Sequence, residues 1–226
     1  MDTIYLVRHG QSTWNAEGKH QGWAEPPLSE LGVRQVAATG QRLAQKDFTA
    51  VVSSPTTRAL QTAQAIAKLA GFGGEIATDP DLRDARRSAS REGGTYTPEE
   101  IQTVRGDLDF KFADGENSRE FIARTVAAWE RLAQSFTGTA NILLVTHGMN
   151  VKVMLLNALG LLPQVDHNPF LVNHAMRLSN CGLTILNHDP KWEHEGGIYR
   201  MTAFNDTGHI ELAGLESPLT ASATEP

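Results

Sequence analysis

Two short stretches of this chain set a histidine-glycine pair directly after an apolar run: Leu6-Val7-Arg8-His9-Gly10 and Leu144-Val145-Thr146-His147-Gly148. A neutral imidazole is nucleophilic near pH 7 and can form a covalent intermediate. The arginine before His9 offers a planar fork that can neutralise two oxygens of a phosphate. Gly10 is expected to remove a Cβ where the backbone passes close to a ligand. If the two apolar runs are neighbouring strands, His9 and His147 converge on one pocket. There His147, as an imidazolium, would offset the charge that grows on a transferring phosphoryl group. Each pair alone also fits a plainer reading, a solvated Arg-His at a strand end or a histidine capping the next helix. Their repetition favours chemistry.

A third element is Ser53-Ser54-Pro55-Thr56-Thr57-Arg58, where Arg58 falls in the first turn of a predicted helix. The helix macrodipole disfavours a cation at that end. An anion bound there would offset the cost and use the free N–H groups, although a surface salt bridge is the competing explanation.

Hydrophobic patterning supplies the elements that would carry these residues. Thr3–Val7, Thr49–Ser53 and Asn141–Thr146 read as buried strands, with Thr184–Asn187 and Tyr199–Phe204 as later strands near a sheet edge. Helical spacing predicts Ser29–Gln45 with Ser29 as cap, Thr57–Ala70 closed by Gly71, Asn117–Phe136 and Gly148–Leu159. Thr97-Pro98-Glu99-Glu100 has the form of a capping box with proline at the first helical position. Residues 9–28, rich in Gly and Pro, read as a loop. Strands alternating with helices imply an α/β, three-layer sandwich with a mainly parallel sheet, whose ligands bind at the carboxyl ends of the strands. Residues 1–214 are read as one domain, with an insertion or lid at about 79–116 and a disordered tail at 215–226.

Bulk composition narrows the function classes. The 226 residues carry a net charge of −6, which argues against general nucleic-acid binding. Asp2 near the start, and no apolar run of membrane-spanning length, exclude a signal peptide or membrane helix as readings. A lone cysteine, Cys181, allows no internal disulfide and suits the cytoplasm. His167, His174, His194 and His209 are scattered without metal-ligand spacing, so neither metal nor cofactor is expected.

Arg8-His9-Gly10, Asn15, Gln21-Gly22, Pro27-Leu28-Ser29 with Gly32, Ser53-Ser54-Pro55 with Arg58, Gly115-Glu116 with Glu120 and Arg124, and His147-Gly148 together resemble the histidine phosphatase superfamily, in its phosphoglycerate-mutase-like branch. The resemblance runs from about residue 3 to 160. It implies that His9 accepts the phosphoryl group, that Arg8, Asn15, Arg58 and His147 hold its oxygens, and that a carboxylic acid protonates the leaving oxygen. No metal is needed for such a transfer.

Two features depart from the family's pattern. Its acid is usually a glutamate soon after Leu-Arg; here Leu82-Arg83 is followed by Asp84, one methylene shorter, with Glu92 as the alternative. The segment after it, rich in arginine, replaces an aromatic-glycine stretch. Arg83, Arg86 and Arg87, with Gln21 and Gly22, are the expected substrate-binding residues, against the reading of a solvated basic loop. The interval from Asp84 to Gly115 is too short for the long arginine-bearing insertion of mutases. The expected activity is therefore hydrolysis of a small phosphorylated metabolite. A cofactor-dependent phosphoglycerate mutase and a weakly catalytic binding protein stand as alternatives, and a homodimer is possible.

Overall fold

The computed structural model describes residues 1–135, 138–172, 175–189, 191 and 199–215. Among them six strands form one sheet: β1 (Asp2–Arg8), β2 (Ala50–Ser53), β3 (Ile76–Thr78), β4 (Asn141–Thr146), β5 (Leu183–His188) and β6 (Tyr199–Asp206). Their spatial order is β3-β2-β4-β1-β5-β6. β3, β2, β4 and β1 run parallel, β5 lies antiparallel to β1, and β6 antiparallel to β5.

The helices are α1 (Thr13–Ala16), α2 (Glu30–Leu43), α3 (Thr57–Leu69), α4 (Pro98–Gly106), α5 (Ser118–Ala133), α6 (Gly148–Ala158) and α7 (Gly208–Leu212). Strand residues alternate between the two faces of the sheet, and the core divides accordingly. Tyr5, Val7, Leu143 and Val145 pack with Val36 and Leu43 of α2, Ala63 and Ile66 of α3, and Ile210 of α7. Ile4, Leu6 and Leu144 pack with Trp129 of α5 and Val151, Met154 and Leu155 of α6. The result is the three-layer α/β/α sandwich that the sequence implies. Full burial of each aliphatic side chain contributes roughly 1.5–3 kcal/mol, which offsets the cost of burying the polar residues at the strand ends. No helix among the described residues is long and apolar enough to cross a membrane.

The expected strands and long helices form within a few residues of their predicted limits. Ser29 caps α2 through the Gly32 N–H, and α3 closes at Gly71 in the left-handed region (φ +73°). Thr97 and Glu100 make the reciprocal capping box, as do Asn117 and Glu120 at α5. Three elements went unread. α1 sits inside the expected loop because Ser12 and Asn15 form their own capping box. β3 has three residues, only the first of them partly buried, and α7 has five residues with an exposed Leu212. Such short elements carry too little periodicity to register. Residues 216–226 of the expected tail lie outside the described residues, as do His174, His194 and Phe136.

The segment between β3 and α5 contains two short 3₁₀ turns, Pro80–Leu82 and Ala89–Arg91, and α4. Its first turn packs against α5, which places residues 81–87 beside the carboxyl end of the sheet.

Candidate active site

Three parallel strands end side by side, and each delivers a polar residue. Arg8 pairs in register with Thr146, and the His9 N–H donates to the Thr146 carbonyl at 2.9 Å. The Ser54 N–H donates to the Val145 carbonyl at 2.9 Å. His9 and His147 therefore stand one step past the ends of adjacent strands, with ring centroids 5.1 Å apart at an interplanar angle of 64°. The convergence expected from the two His-Gly pairs is present.

His9 is oriented by its own backbone. Its Nδ1 lies 2.7 Å from the Gly10 carbonyl oxygen, which can only accept, so Nδ1 carries the proton and Nε2 keeps its lone pair. Burial, and then the Arg58 and Arg8 guanidinium groups, hold His9 well below its ordinary pKa. A neutral, nucleophilic imidazole is the form present near pH 7. The Asn180 amide donates to the His9 carbonyl at 2.9 Å and also reaches the Asn15 side-chain oxygen at 3.4 Å. Asn180 was missed because nothing in its sequence context marks it. Asn15 takes part in the α1 capping box at the edge of the pocket.

His147 lies between three strand-end partners. Its Nε2 faces the Ser54 hydroxyl at 3.0 Å and the Thr56 hydroxyl at 3.3 Å, and an Arg58 N–H donates to its Nδ1 at 3.4 Å. Burial first, and then Arg58 and His9, push its pKa well down. That direction runs against the imidazolium expected from the sequence. A charged ring would have to share the pocket with two guanidinium groups and another histidine.

Arg58 is fully buried in the first turn of α3. It donates to the Ala24 carbonyl at 2.8 Å and the Gly22 carbonyl at 3.0 Å, its Nε has no hydrogen-bond partner, and no carboxylate among the described residues lies within ion-pair reach. Removing a guanidinium from water costs several kcal/mol unless an anion compensates. The Arg8 guanidinium donates to the Leu178 carbonyl. Gly10 serves a different purpose from the one expected. A Cβ there would lie 2.7 Å from Val36 Cγ2 and 3.0 Å from the Gly32 carbonyl. Its missing side chain lets α2 approach the loop.

Asp84 sits at the rim, with Oδ2 3.8 Å from His147 Nδ1 and Oδ1 accepting from the Ala85 N–H at 2.9 Å. Glu92, the alternative acid, is engaged elsewhere: its Oε1 accepts from the Trp23 N–H at 2.8 Å and from Arg86 Nε at 3.3 Å. Gln21 accepts from the Ser12 hydroxyl at 2.6 Å, and the Gly22 carbonyl is used by Arg58, so these two build the wall of the pocket.

The arginine-rich segment is mostly paired. Arg86 meets Glu92, and Arg91 meets Glu100. Arg87 donates to the Ser118 hydroxyl at 2.9 Å, and burial lowers its pKa to about 10, which leaves it charged. Arg83 differs. Its guanidinium lies 5.1 Å from the Trp23 ring centroid and makes no hydrogen bond or ion pair with the described residues. Trp23 in turn donates through Nε1 to the Asp84 carbonyl at 2.9 Å. His188 is remote from all this: it ends β5 at the opposite end of the sheet, beside the start of β1, where its Nδ1 meets Asp2 at 3.0 Å.

Comparison with known proteins gives a consistent picture. The sequence pattern of the histidine phosphatase superfamily (branch 1) matches residues 4–196. "Probable phosphoglycerate mutase GpmB" of Yersinia pestis is 32% identical over 220 residues, covering 94% of this chain and 97% of that protein. YhfR of Bacillus stearothermophilus superposes with a TM-score of 0.73 at 26% identity, over 93% of this chain and all of its own. The phosphoserine phosphatase of Entamoeba histolytica, solved in complex with 3-phosphoglyceric acid, superposes with a TM-score of 0.70 at 25% identity, over 93% of this chain and 100% of that one.

Proposed function

We infer that this chain, which belongs to the histidine phosphatase superfamily, is a phosphoric monoester hydrolase acting on a small phosphorylated metabolite through a phosphohistidine at His9. The observation that carries the reading is a buried guanidinium at the strand ends with no carboxylate in direct contact, although Asp84, Glu25 and Glu92 act on it at longer range. Arg58 has only backbone carbonyls and a neutral histidine as partners, beside a histidine whose Nε2 lone pair is free to attack.

In this reading Nε2 of His9 attacks phosphorus and the ester P–O bond breaks. The leaving oxygen takes a proton from the Asp84 carboxylic acid. Arg8, Arg58, Asn15 and His147 hold the equatorial oxygens, whose charge is stabilised by groups already in place. Water then gives a proton to the Asp84 carboxylate as its oxygen attacks phosphorus; the P–N bond breaks, its electron pair returns to Nε2 of His9, and inorganic phosphate leaves. Positive charge comes from the two arginines, so no metal is required. Arg83 reads a second anionic group on the substrate, such as a carboxylate. Phosphoserine and 3-phosphoglycerate, the ligands named for the Entamoeba enzyme, both have that composition. The lone buried cysteine suits work in a reducing cytoplasm.

A mutase is the second reading, favoured by the name of the 32% identical relative. Against it stands the short segment from Asp84 to Gly115, whose arginines are largely committed to protein partners. The two readings separate in one assay. With 3-phosphoglycerate, the hydrolase reading expects stoichiometric inorganic phosphate and little 2-phosphoglycerate, with or without chelator. Rapid, bisphosphate-dependent isomerisation would establish the mutase instead.

A further inference from the structure

The guanidinium of Arg124, on α5, lies at the centre of a network that the catalytic roles above do not use. Its Nε and NH2 form a two-pronged pair with Glu116, at 2.9 Å and 2.6 Å. The same group donates to the carbonyls of Asp81 and Arg83, each at 2.7 Å, and of Asp84 at 2.8 Å. Glu116 closes the circuit by accepting from the Arg86 N–H at 2.8 Å, while its own N–H donates to the Arg86 carbonyl at 2.7 Å. Arg124 and Glu116 are largely buried, at 15% and 14% side-chain exposure. Thr146 and Asn150 add bonds to the Leu82 and Arg83 carbonyls at 2.8 Å and 3.2 Å.

We propose that Arg124 and Glu116 are positioning residues for the general acid: the fork fixes the backbone on both sides of Asp84 and so sets the reach of its carboxylate toward the leaving oxygen. The proposal rests on the hydrolase reading and on Asp84 as the acid. Three considerations carry it. The segment 81–87 has little regular structure, since only residues 80–82 form a 3₁₀ turn. An aspartate has one methylene fewer than glutamate with which to correct a misplaced backbone, so position matters more. And the bonds run from a charged donor to three carbonyls within four residues, a geometry that a lysine, as a point charge, cannot reproduce. Both ends of the 79–116 segment meet at this one guanidinium, so the acid and the Gly115-Glu116 turn move together or not at all.

The test uses the full-length protein and two substrates, an alkyl phosphate such as 3-phosphoglycerate and p-nitrophenyl phosphate, whose leaving group needs little protonation. General-acid help is worth about a hundred- to ten-thousand-fold, and Asp84→Asn measures it here as an alkyl-selective loss. Arg124→Ala and Arg124→Lys are expected to show the same alkyl selectivity, with a far smaller loss on the aryl ester. The double variant Asp84→Asn with Arg124→Ala should be no slower on the alkyl ester than Asp84→Asn alone, because the fork acts only through the acid. Glu116→Gln, which keeps one acceptor oxygen, should lose less with the same selectivity, and serves if Arg124→Ala does not fold by thermal unfolding. Equal losses on both esters in a folded variant, full activity in Arg124→Lys, or multiplicative losses in the double variant would each overturn the proposal. Failure of the underlying reading looks different: wild-type enzyme would release no phosphate, or Asp84→Asn itself would show no selectivity.

Discussion

The pocket floor and the segment that borders it are built by opposite means. Arg8, His9, Ser54 and His147 follow directly from three parallel strands, and the sheet ladder fixes their backbone before any side chain acts. Residues 81–92 have almost no ladder. They are held by side chains reaching for carbonyls and N–H groups: Arg124, Asn150, Thr146, Trp23 and Glu116. The floor is rigid because the core beneath it is apolar. The border is only as fixed as a few charge-assisted bonds, each worth on the order of 1.5–3 kcal/mol. Loss of a floor residue should therefore remove chemistry outright, whereas changes along the border should alter which substrates are served.

The largest expected effect is at the floor. Replacing His9 with alanine removes the attacking nitrogen, and turnover of every phosphate ester should fall by about 10⁴–10⁶-fold. Wild-type enzyme quenched in mid-turnover should carry an acid-labile phosphate that His9→Ala lacks. If His9→Ala retained a percent of wild-type activity on both alkyl and aryl esters, the floor would be a binding surface and the contrast would collapse.

The same contrast explains what could be read in advance. His9 and His147 each stand one residue after an apolar, β-rich run, and that position alone locates them at the functional end of a sheet. Arg58 was legible from its conflict with the α3 dipole, and its burial with only carbonyl and histidine partners sharpens that clue. Gly10 was read correctly as a close approach but assigned the wrong neighbour, since spacing cannot tell a ligand from Val36. At the border, four arginines in nine residues look alike in sequence. Which of them pairs with Glu92, Glu100 or Ser118 depends on contacts across the segment between β3 and α5 that no local pattern records. Gly115 belongs to this illegible class: a Cβ there would lie 1.8 Å from the Arg87 carbonyl.

A middle-sized effect follows for Arg83, which projects over Trp23 without an internal partner. For a substrate with a second anionic group, Arg83→Ala should raise KM by about 10- to 100-fold, the worth of one charged hydrogen bond, while kcat changes little. p-Nitrophenyl phosphate, which has no such group, should show a much smaller change. Steady-state kinetics on the two substrates checks this. An equal rise in KM for both would mean that Arg83 serves the phosphate itself and belongs to the floor.

The smallest effect is on stability, and it again singles out the floor. His9 and His147 have folded-state pKa values well below the ordinary one because burial, reinforced by Arg58, penalises the charged ring. In the unfolded chain both would titrate near pH 6.5, as a free histidine does (about 6.5). Between that value and the folded pKa the unfolded state binds more protons, so stability rises with pH there. The contribution is fully present above about pH 6.5 and is lost as pH falls toward the folded pKa, with a slope of up to roughly 1.4 kcal/mol per pH unit for each histidine. Thermal unfolding of the empty protein should thus show a midpoint that drops between pH 7 and pH 5, and His147→Asn should flatten part of that drop. Inorganic phosphate should flatten it further, because an anion in the cradle favours the charged rings and returns their pKa values upward. A midpoint independent of pH in this window, or a decline that His147→Asn leaves untouched, would show that the two histidines are not held neutral by burial.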